Sequence, residues 1–589
     1  MFQRAAIEKS FRSSLIILFL SELIVSVGPL IDGVVIASFL GSDGVKEFGI
    51  VNPALIVYNV IGSVFAVGSV TLCTRLVGRG KGEEAQGAFS VSFIWILGLS
   101  VLVTTVLLCL SDPMINLLGL TREAGPLYTE ARNYFIGITV SFPAINLVLF
   151  LTSYMQVDND RNRALIAMIV LTAADVAGDL LSAVVLHAGM LGMGLATSAA
   201  YYLAMLVLLL HFRKKNALFK PRFRNLPWKL TGTILKGGAV SCVTLGGSTI
   251  LFIVLNRILL HYGGGLALIA FTVQRNVYNL ASSIPKSVGR GVMTMGGFFH
   301  GEKNRGSLTE LFRMTVKYTL LMAGGACILC IALSGIFASM FVGNNPEAIP
   351  QAAGAVRIVA ICLPFLTLNT GYECFFRGAG RMKASFLLSV LRDGLLGILV
   401  AFLLSKVIGE ASVFWVLTVT QMILFLGIAA LVMIRCSRKD KSFIEMALFL
   451  PNGYDVPDED CIYRSIKQSS ECTRLSEDVA SLCRRHGMEE RKTLVAALAT
   501  EEMCNNILRH GFQSQKKNLI SARILIDQDK RIRISIRDDC RPFSPVEWNR
   551  IHHNDEDRTS NIGIRMVASM AEEMRYVNVM DMNSLYITI

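Results

Sequence analysis

Charge is scarce in this chain. Asp, Glu, Lys and Arg make up 17% of its 589 residues and hydrophobic residues 53%, where a soluble domain carries about 25% charge. That balance excludes a chain that is soluble from end to end. The thirteen cysteines follow no framework spacing, so no disulfide scaffold is expected. Cys327 and Cys330 do form a C-x-x-C, but inside the apolar run LLMAGGACILCIAL, where two small buried side chains are the simpler reading. No G-x-x-x-x-G-K-[S/T] occurs, which removes the P-loop pumps that power transport with ATP. A cleavable leader is not expected either, because the run from Ser13 to Leu40 outlasts a signal's apolar segment.

What is present is unevenly distributed. Residues 13–435 are almost continuous apolar runs, whereas 436–589 have the charge density of an ordinary domain. A spanning helix needs about twenty apolar residues. Twelve segments meet that need, near 13–40, 50–73, 88–110, 132–155, 164–186, 191–212, 239–260, 266–288, 313–336, 353–376, 385–405 and 412–434. The net charge of +13 falls mostly in alternate loops between them, including Arg75, Arg79 and Lys81, the stretch RKKNALFKPRFRNLPWK (213–229), and Lys303 and Arg305. The opposite loops offer little more than Lys46, Arg122 and Lys406. Such a bias predicts cytoplasmic N- and C-termini in a multi-pass protein of the cell (inner) membrane. It makes the lipid bilayer the partner of these runs and leaves no basic surface for nucleic acid.

The chain also repeats itself at an offset near 220 residues. VGRGKGE (77–83) answers FHGEKNR (299–305), YMQVDNDRNRA (154–164) answers FFRGAGRMKA (375–384), and FLGSDG (39–44) answers HYGGG (261–265). Six plus six spans related by a parallel repeat is a transporter plan with a cleft between two bundles. The expected fold is an all-α polytopic membrane bundle over 1–435, with halves of about 10–212 and 230–435. A linker at 436–441 and an α+β sandwich over 442–589 follow.

Ionisable residues inside a span are costly and need a partner or a task. Asp32, Asp175 and Asp179 stand out in the first half. Asp175 and Asp179 are four apart and share a helix face. Two such carboxylates cannot both ionise cheaply in low dielectric, so they share a proton or bind a cation. Glu22, Arg275 and Glu373 are further charges at or near membrane depth, with Arg275 pairing with Glu373 or lining the second half's cleft, and with snorkelling to an interface an equal alternative for each.

The runs IDGVVIASFLGSDGVKEFGIVNPAL (31–55) and TRLVGRGKGEEA (74–85) resemble the first-half signature of the MATE multidrug and toxin extrusion transporters. DVAGDLLSAVVLHAGMLGMGLATSAAY (175–201) resembles their fifth and sixth helices, and LNRILLHYGG (255–264) repeats the pattern. The resemblance implies an exporter of small organic compounds driven by H⁺ or Na⁺ entry. It implies a coupling-ion site built from Asp32, Asp175, Asp179 and Thr197. Asp175 stands where that family has Asn, and a second carboxylate leans the site towards H⁺.

In the C-terminal region, SFIEMALFLP (442–451) reads as a first strand, 471–487 and 490–511 as helices, and 518–526 with 531–539 as a hairpin around DQDK. A helix over 561–574 and two short strands complete a mixed sheet with helices on one face. In TEEMCNNILRHGF (500–512), Glu502, Asn506 and His510 are spaced four and four, hence on one face. A carboxylate and an amide oxygen there suit Mg²⁺ and an attacking hydroxyl. Asp538, ending a strand in RDDCRPFSP (537–545), offers an acceptor to an amino group. The helix near Gly563 directs its N-terminal amides at phosphate.

These boxes resemble the GHKL ATPases, and most closely the anti-sigma serine kinases. The resemblance implies ATP with Mg²⁺ on Asn506, Glu502 as the catalytic general base and Asp538 on adenine. His510 joins the nucleotide site, and a partner protein would serve as phosphoacceptor of a serine/threonine kinase activity. Cys540 and Asn561 stand where the pattern has glycine. The leading expectation is a cation-coupled drug exporter with a regulatory ATP-binding domain. Its rivals are a lipid or polysaccharide-precursor flippase and a membrane-tethered serine kinase whose transporter-like part senses a ligand.

Overall fold

The computed structural model describes residues 2–589 apart from 119, 215–216, 263–264, 343–345, 438–442, 451–453, 455–457, 513–519, 528, 553–560 and 581. Most of the expected linker and the centre of the DQDK turn lie outside the described residues.

The apolar runs fold as helices because their interiors hold little to compete with i→i−4 hydrogen bonding. In chain order they are α1 (Phe2–Phe39), α2 (Gly41–Gly78), α3 (Gly82–Cys109), α4 (Ser111–Leu117), α5 (Pro126–Thr139), α6 (Phe142–Val157), α7 (Arg161–Leu180) and α8 (Gly189–Leu209). The second half contributes α9 (Thr231–Tyr262), α10 (Gly265–Ala281), α11 (Ser283–Gly301), α12 (Arg305–Ala332), α13 (Ser334–Val342), α14 (Ile349–Gly378), α15 (Met382–Val390), α16 (Leu396–Ile408) and α17 (Ser412–Ser437). Among the described residues nine helical stretches are long and apolar enough to cross a membrane, or ten if the bent pair α5–α6 is one span. The expected count was twelve. That pair turns by 42° because Pro143, near the start of α6, has no N–H for the carbonyl of Thr139, the last residue of α5.

Both halves carry a wide π-turn, Leu181–Leu186 after α7 and Leu391–Leu395 between α15 and α16. Such insertions are frequent at functional sites. The halves meet where α2 crosses α9 and α11. A Cβ on Gly78 would lie 2.1 Å from the Phe298 carbonyl oxygen, and one on Gly301 would lie 2.4 Å from that of Arg75. Only glycine permits this backbone contact. It seals the two halves together at the end of the bundle that carries the C-terminal domain. Glu22 of α1 adds an ion pair across the halves to Arg290 of α11, at 2.6 Å.

The expected first strand is instead a short helix, α18 (Phe443–Ala447). Met446, Ala447, Leu448 and Leu450 are buried against the transporter helices rather than in a sheet. The Arg435 guanidinium donates to the Leu450 carbonyl at 3.1 Å and sits over the Phe449 ring. The domain proper then runs β1 (Cys461–Ile466), α19 (Ser469–Arg485), α20 (Glu490–Asn506), β2 (Ile520–Ile526), β3 (Ile532–Asp538), α21 (Pro545–Ile551), α22 (Ile562–Met570), β4 (Glu573–Val579) and β5 (Met582–Thr588). Its sheet has the order β1-β2-β3-β5-β4 and every described pair is antiparallel, which corrects the expected mixed sheet. The helix expected over 561–574 ends at Met570, because the Glu572 amide already bonds across to Thr588.

Strand alternation gives this sheet two unlike faces. Ile520, Ala522, Ile524, Ile532, Ile534 and Ile536 are buried with the helices. Arg523, Ser535, Arg537, Arg575 and Tyr586 alternate with them on the opposite face, towards the bundle.

Candidate functional site

Asp32 of α1 and Asp175 and Asp179 of α7 are brought together inside the first half, close enough to act on one another electrostatically. Gly178 packs on Ala196 of α8, and this close approach sets Thr197 beside Asp175. Asp179 is 1% exposed and neither of its carboxylate oxygens has a hydrogen-bond partner. One oxygen each of Asp32 and Asp175 is also buried and unpartnered. Around them stand Tyr134 of α5 and Tyr201 of α8, and no Lys or Arg pairs with any of the three carboxylates among the described residues. A buried carboxylate costs several kcal/mol to desolvate, at roughly that order per ion. Desolvation of this kind gives the cluster reason to take up a neutralising charge.

The second half solves the same problem differently. Glu373 of α14 is held by Arg377, one turn on, and by Arg392 of the π-turn at 3.5 Å, and accepts from Ser385 at 2.9 Å. Arg392 also makes a two-pronged contact with Asp393, at 2.8 and 2.9 Å. Glu373 thus finds its cations one turn and one helix away, and the expected pairing with Arg275 is not made. Arg275 is exposed on α10 with no ion pair among the described residues.

In the C-terminal domain the nucleotide boxes converge on the helix side of the sheet. Glu502 lies against the first turn of α22, so closely that a Cβ on Gly563 would meet its Oε2 at 2.4 Å. Neither Glu502 nor Asn506 has a hydrogen-bond partner among the described residues, so both side chains are free for a ligand. Asn561 precedes the helix in the left-handed conformation, φ 50°, which Asn tolerates where glycine is the usual choice. His510 departs from the expected face: α20 ends at Asn506, a π-turn spans Ile507–Gly511, and His510 is exposed within it. Cys540 packs its Sγ near Gly511, where a Cβ would lie 3.0 Å away.

Asp538 is buried at the end of β3, and burial pushes its carboxyl above the ordinary range. It accepts from the Cys540 amide at 2.9 Å and from Asn583 Nδ2 at 2.6 Å. Asn583 was not singled out in the sequence. Its signal is register: it sits opposite Asp538 on β5. Asn583 Oδ1 accepts from Tyr576 Oη and from Asn578 Nδ2, each at 2.6 Å.

From there the network leaves the domain. Asn159, in the α6–α7 turn, donates to Asn578 Oδ1 at 2.5 Å. Lys9 of α1 pairs with Asp539 at 2.6 Å, and the Ser10 hydroxyl donates to the Met580 carbonyl at 2.6 Å. Arg575 donates to the Gly80 carbonyl at 2.5 Å. On the second half, Glu302 is gripped by Arg537 and by Tyr586 Oη, the latter at 2.7 Å, while Arg523 donates to the Glu302 carbonyl at 2.7 Å. Arg381 donates to the Phe449 carbonyl ahead of the domain. The four repeat-related turns, two from each half, therefore all touch the C-terminal domain or the segment leading into it.

A two-lobed helical transporter fold joined to a histidine-kinase-like ATPase domain is the class these features define. The chain belongs to the MatE family, whose profile matches residues 18–181 and 241–403, more than half of its length. Residues 469–589 match the histidine kinase-like ATPase domain. Among curated proteins it is similar to the multidrug export protein MepA of Staphylococcus aureus (strain NCTC 8325 / PS 47), 22% identical over 406 residues, 67% of this chain and 87% of that one. The MepA of Staphylococcus haemolyticus (strain JCSC1435) is 20% identical over 426 residues, 70% of this chain and 91% of that one. Among solved structures, an outward-facing multidrug resistance MATE family transporter superposes with a TM-score of 0.67 at 18% identity, covering 72% of this chain and 94% of that one. A MOP superfamily transporter from Pyrococcus furiosus reaches 0.68 at 18% identity, covering 74% and 97%. At that identity the likeness is one of fold.

Proposed function

We propose that this protein is a cation-coupled exporter of small organic compounds, with twelve spans and both termini in the cytoplasm of a cell with an inner membrane. Its C-terminal ATP-binding domain regulates it. The observation that carries the transport reading is the trio Asp32, Asp175 and Asp179, buried together with no counter-charge among the described residues. Proton or Na⁺ entry neutralises them, and Thr197 adds a neutral oxygen beside Asp175. The second carboxylate favours H⁺. Relatives named as multidrug export proteins support organic substrates.

ATP with Mg²⁺ would be held by Asn506, with Glu502 positioned to accept a proton from water or a hydroxyl, Asp538 on the adenine amino group and the first turn of α22 on phosphate. These groups suit a serine kinase acting on a protein partner.

Regulation follows from where the domain sits. Opening to the cytoplasm requires the halves to part where Gly78 meets Gly301, and the domain holds Gly80 on one side and Glu302 on the other. Asp538 and Asp539 adjoin the contacts to Asn159 and Lys9, so nucleotide at the adenine end acts directly on that grip.

The test is dye efflux from proteoliposomes under an imposed ΔpH or Na⁺ gradient. Loss in Asp179→Asn, with Asn506→Ala altering only the response to ATP, is the expected result. Gradient-independent flux, or no flux from the wild type under either gradient, would overturn the transport reading.

A further inference from the structure

Between the outer face of the C-terminal sheet and the turns of both transporter halves lies a cavity of about 1000 Å³. It is separate from the nucleotide boxes. Arg523, Arg533, Ser535 and Arg537 line it from the strand positions that alternate with the buried isoleucines, whereas Glu502, Asn506 and Gly563 lie across the sheet with the helices. Its wall carries nine Lys and Arg against five Asp and Glu, so its net charge is positive. Most of these cations are used: Arg533 pairs with Asp527, Arg537 with Glu302, and Arg575 with Glu573. Arg79, Lys303 and Lys530 are not. They come from the first half, the second half and the domain, and none has an ion pair or side-chain hydrogen bond among the described residues. Tyr463 places its buried hydroxyl beside Ser521 on the same wall.

A concave site with uncommitted cations on its wall focuses a positive field, and guanidinium and ammonium groups are the side chains that phosphate selects. The volume is at the upper end for small-molecule sites, which run to roughly 1000 Å³, and Tyr463, Tyr586 and Tyr454 provide aromatic surface beside the charge. We infer that this cavity is a binding site for a phosphate-bearing anion of nucleotide size, distinct from the ATP site. Its three free cations come from the two transporter halves and the C-terminal domain. An anion bridging Arg79, Lys303 and Lys530 therefore holds the two halves and the domain together. The inference does not depend on what the transporter moves.

The test uses the full chain in nanodiscs of neutral lipid, with inorganic tripolyphosphate as the probe, read by calorimetry and by thermal melting. The triple variant Arg79→Ala/Lys303→Ala/Lys530→Ala removes no packed or paired side chain. It is expected to weaken binding at least tenfold and abolish the rise in melting temperature, while Asn506→Ala leaves both unchanged. Equal affinity in the triple variant would overturn the site, as would loss in Asn506→Ala, which would assign the probe to the ATP pocket. Repeating the titration in nanodiscs containing phosphatidylglycerol identifies the source. A tenfold weaker affinity there supports occupation by an anionic lipid headgroup, and an unchanged affinity supports a soluble phosphate ester.

Discussion

The two halves of the bundle bury acids to a similar degree but treat them in opposite ways. Asp179 is 1% exposed and Glu373 is 2% exposed. Around Asp179 the neighbours are two more carboxylates and two tyrosines. Around Glu373 they are two arginines and a serine. A buried acid with its charges balanced is a structural element, whereas one left unbalanced must find its counter-charge outside the chain. The repeat that made the two halves alike has therefore been resolved into one half whose buried acid is neutralised and one half whose buried acids are not.

The largest effect expected from breaking this contrast is on transport. Asp179→Asn should abolish gradient-driven efflux, by a factor of about 100 or more, without lowering the melting temperature, because it removes an unsatisfied charge rather than a contact. A variant that melts lower than the wild type would show that Asp179 is structural after all. Glu373→Gln should do the reverse. Leaving Arg377 and Arg392 with one charge fewer in a buried cluster should cost about 3–5 kcal/mol, seen as a lower melting temperature in detergent, with coupling stoichiometry retained in the protein that survives.

The same logic applies within the C-terminal domain, at smaller scale. Asn583→Ala should weaken ATP binding about tenfold, since it strips Asp538 of the donor that orients it, a loss of roughly 1.4 kcal/mol. Asp538→Asn should abolish adenine recognition yet stabilise the domain near neutral pH. Burial raises the Asp538 pKa, so the folded state binds the proton more tightly than the unfolded chain does. Stability then falls as pH rises from about 3.9, the unfolded value, through the raised folded value. Melting curves of wild type and Asp538→Asn should converge at low pH and separate above it. The smallest effect is expected at Lys9, whose exposed ion pair with Asp539 is worth under about 1 kcal/mol. Lys9→Ala should leave the fold intact and alter only the response of efflux to ATP.

Much of this was legible in the residues. Long apolar runs can only bury their backbone polar groups in lipid as helices, and the repeat-related turns stand out because they interrupt those runs with glycine and charge. The acids of the ion-coupling candidate were visible for the same reason, being rare residues in an apolar stretch. The strand assigned to 442–451 was not recoverable, because apolar residues at that spacing fit a sheet core or the underside of a bundle equally well, and Met446 and Leu448 found the bundle. Arg275 as partner of Glu373 failed similarly: sequence marks which charges are buried but not which of several arginines is one helix away.

The amino-acid order alone determined that this is a membrane bundle made of two related halves, followed by a domain of the histidine-kinase-like ATPase type, since hydropathy and local spacing suffice for both. Only the tertiary structure decided that one half leaves its acids bare while the other neutralises them, and that the four repeated turns all meet the C-terminal domain or the segment leading into it. Those outcomes depend on side chains hundreds of residues apart meeting at hydrogen-bond distance, as Asn159 meets Asn578 and Glu302 meets Tyr586. No local pattern encodes such a meeting.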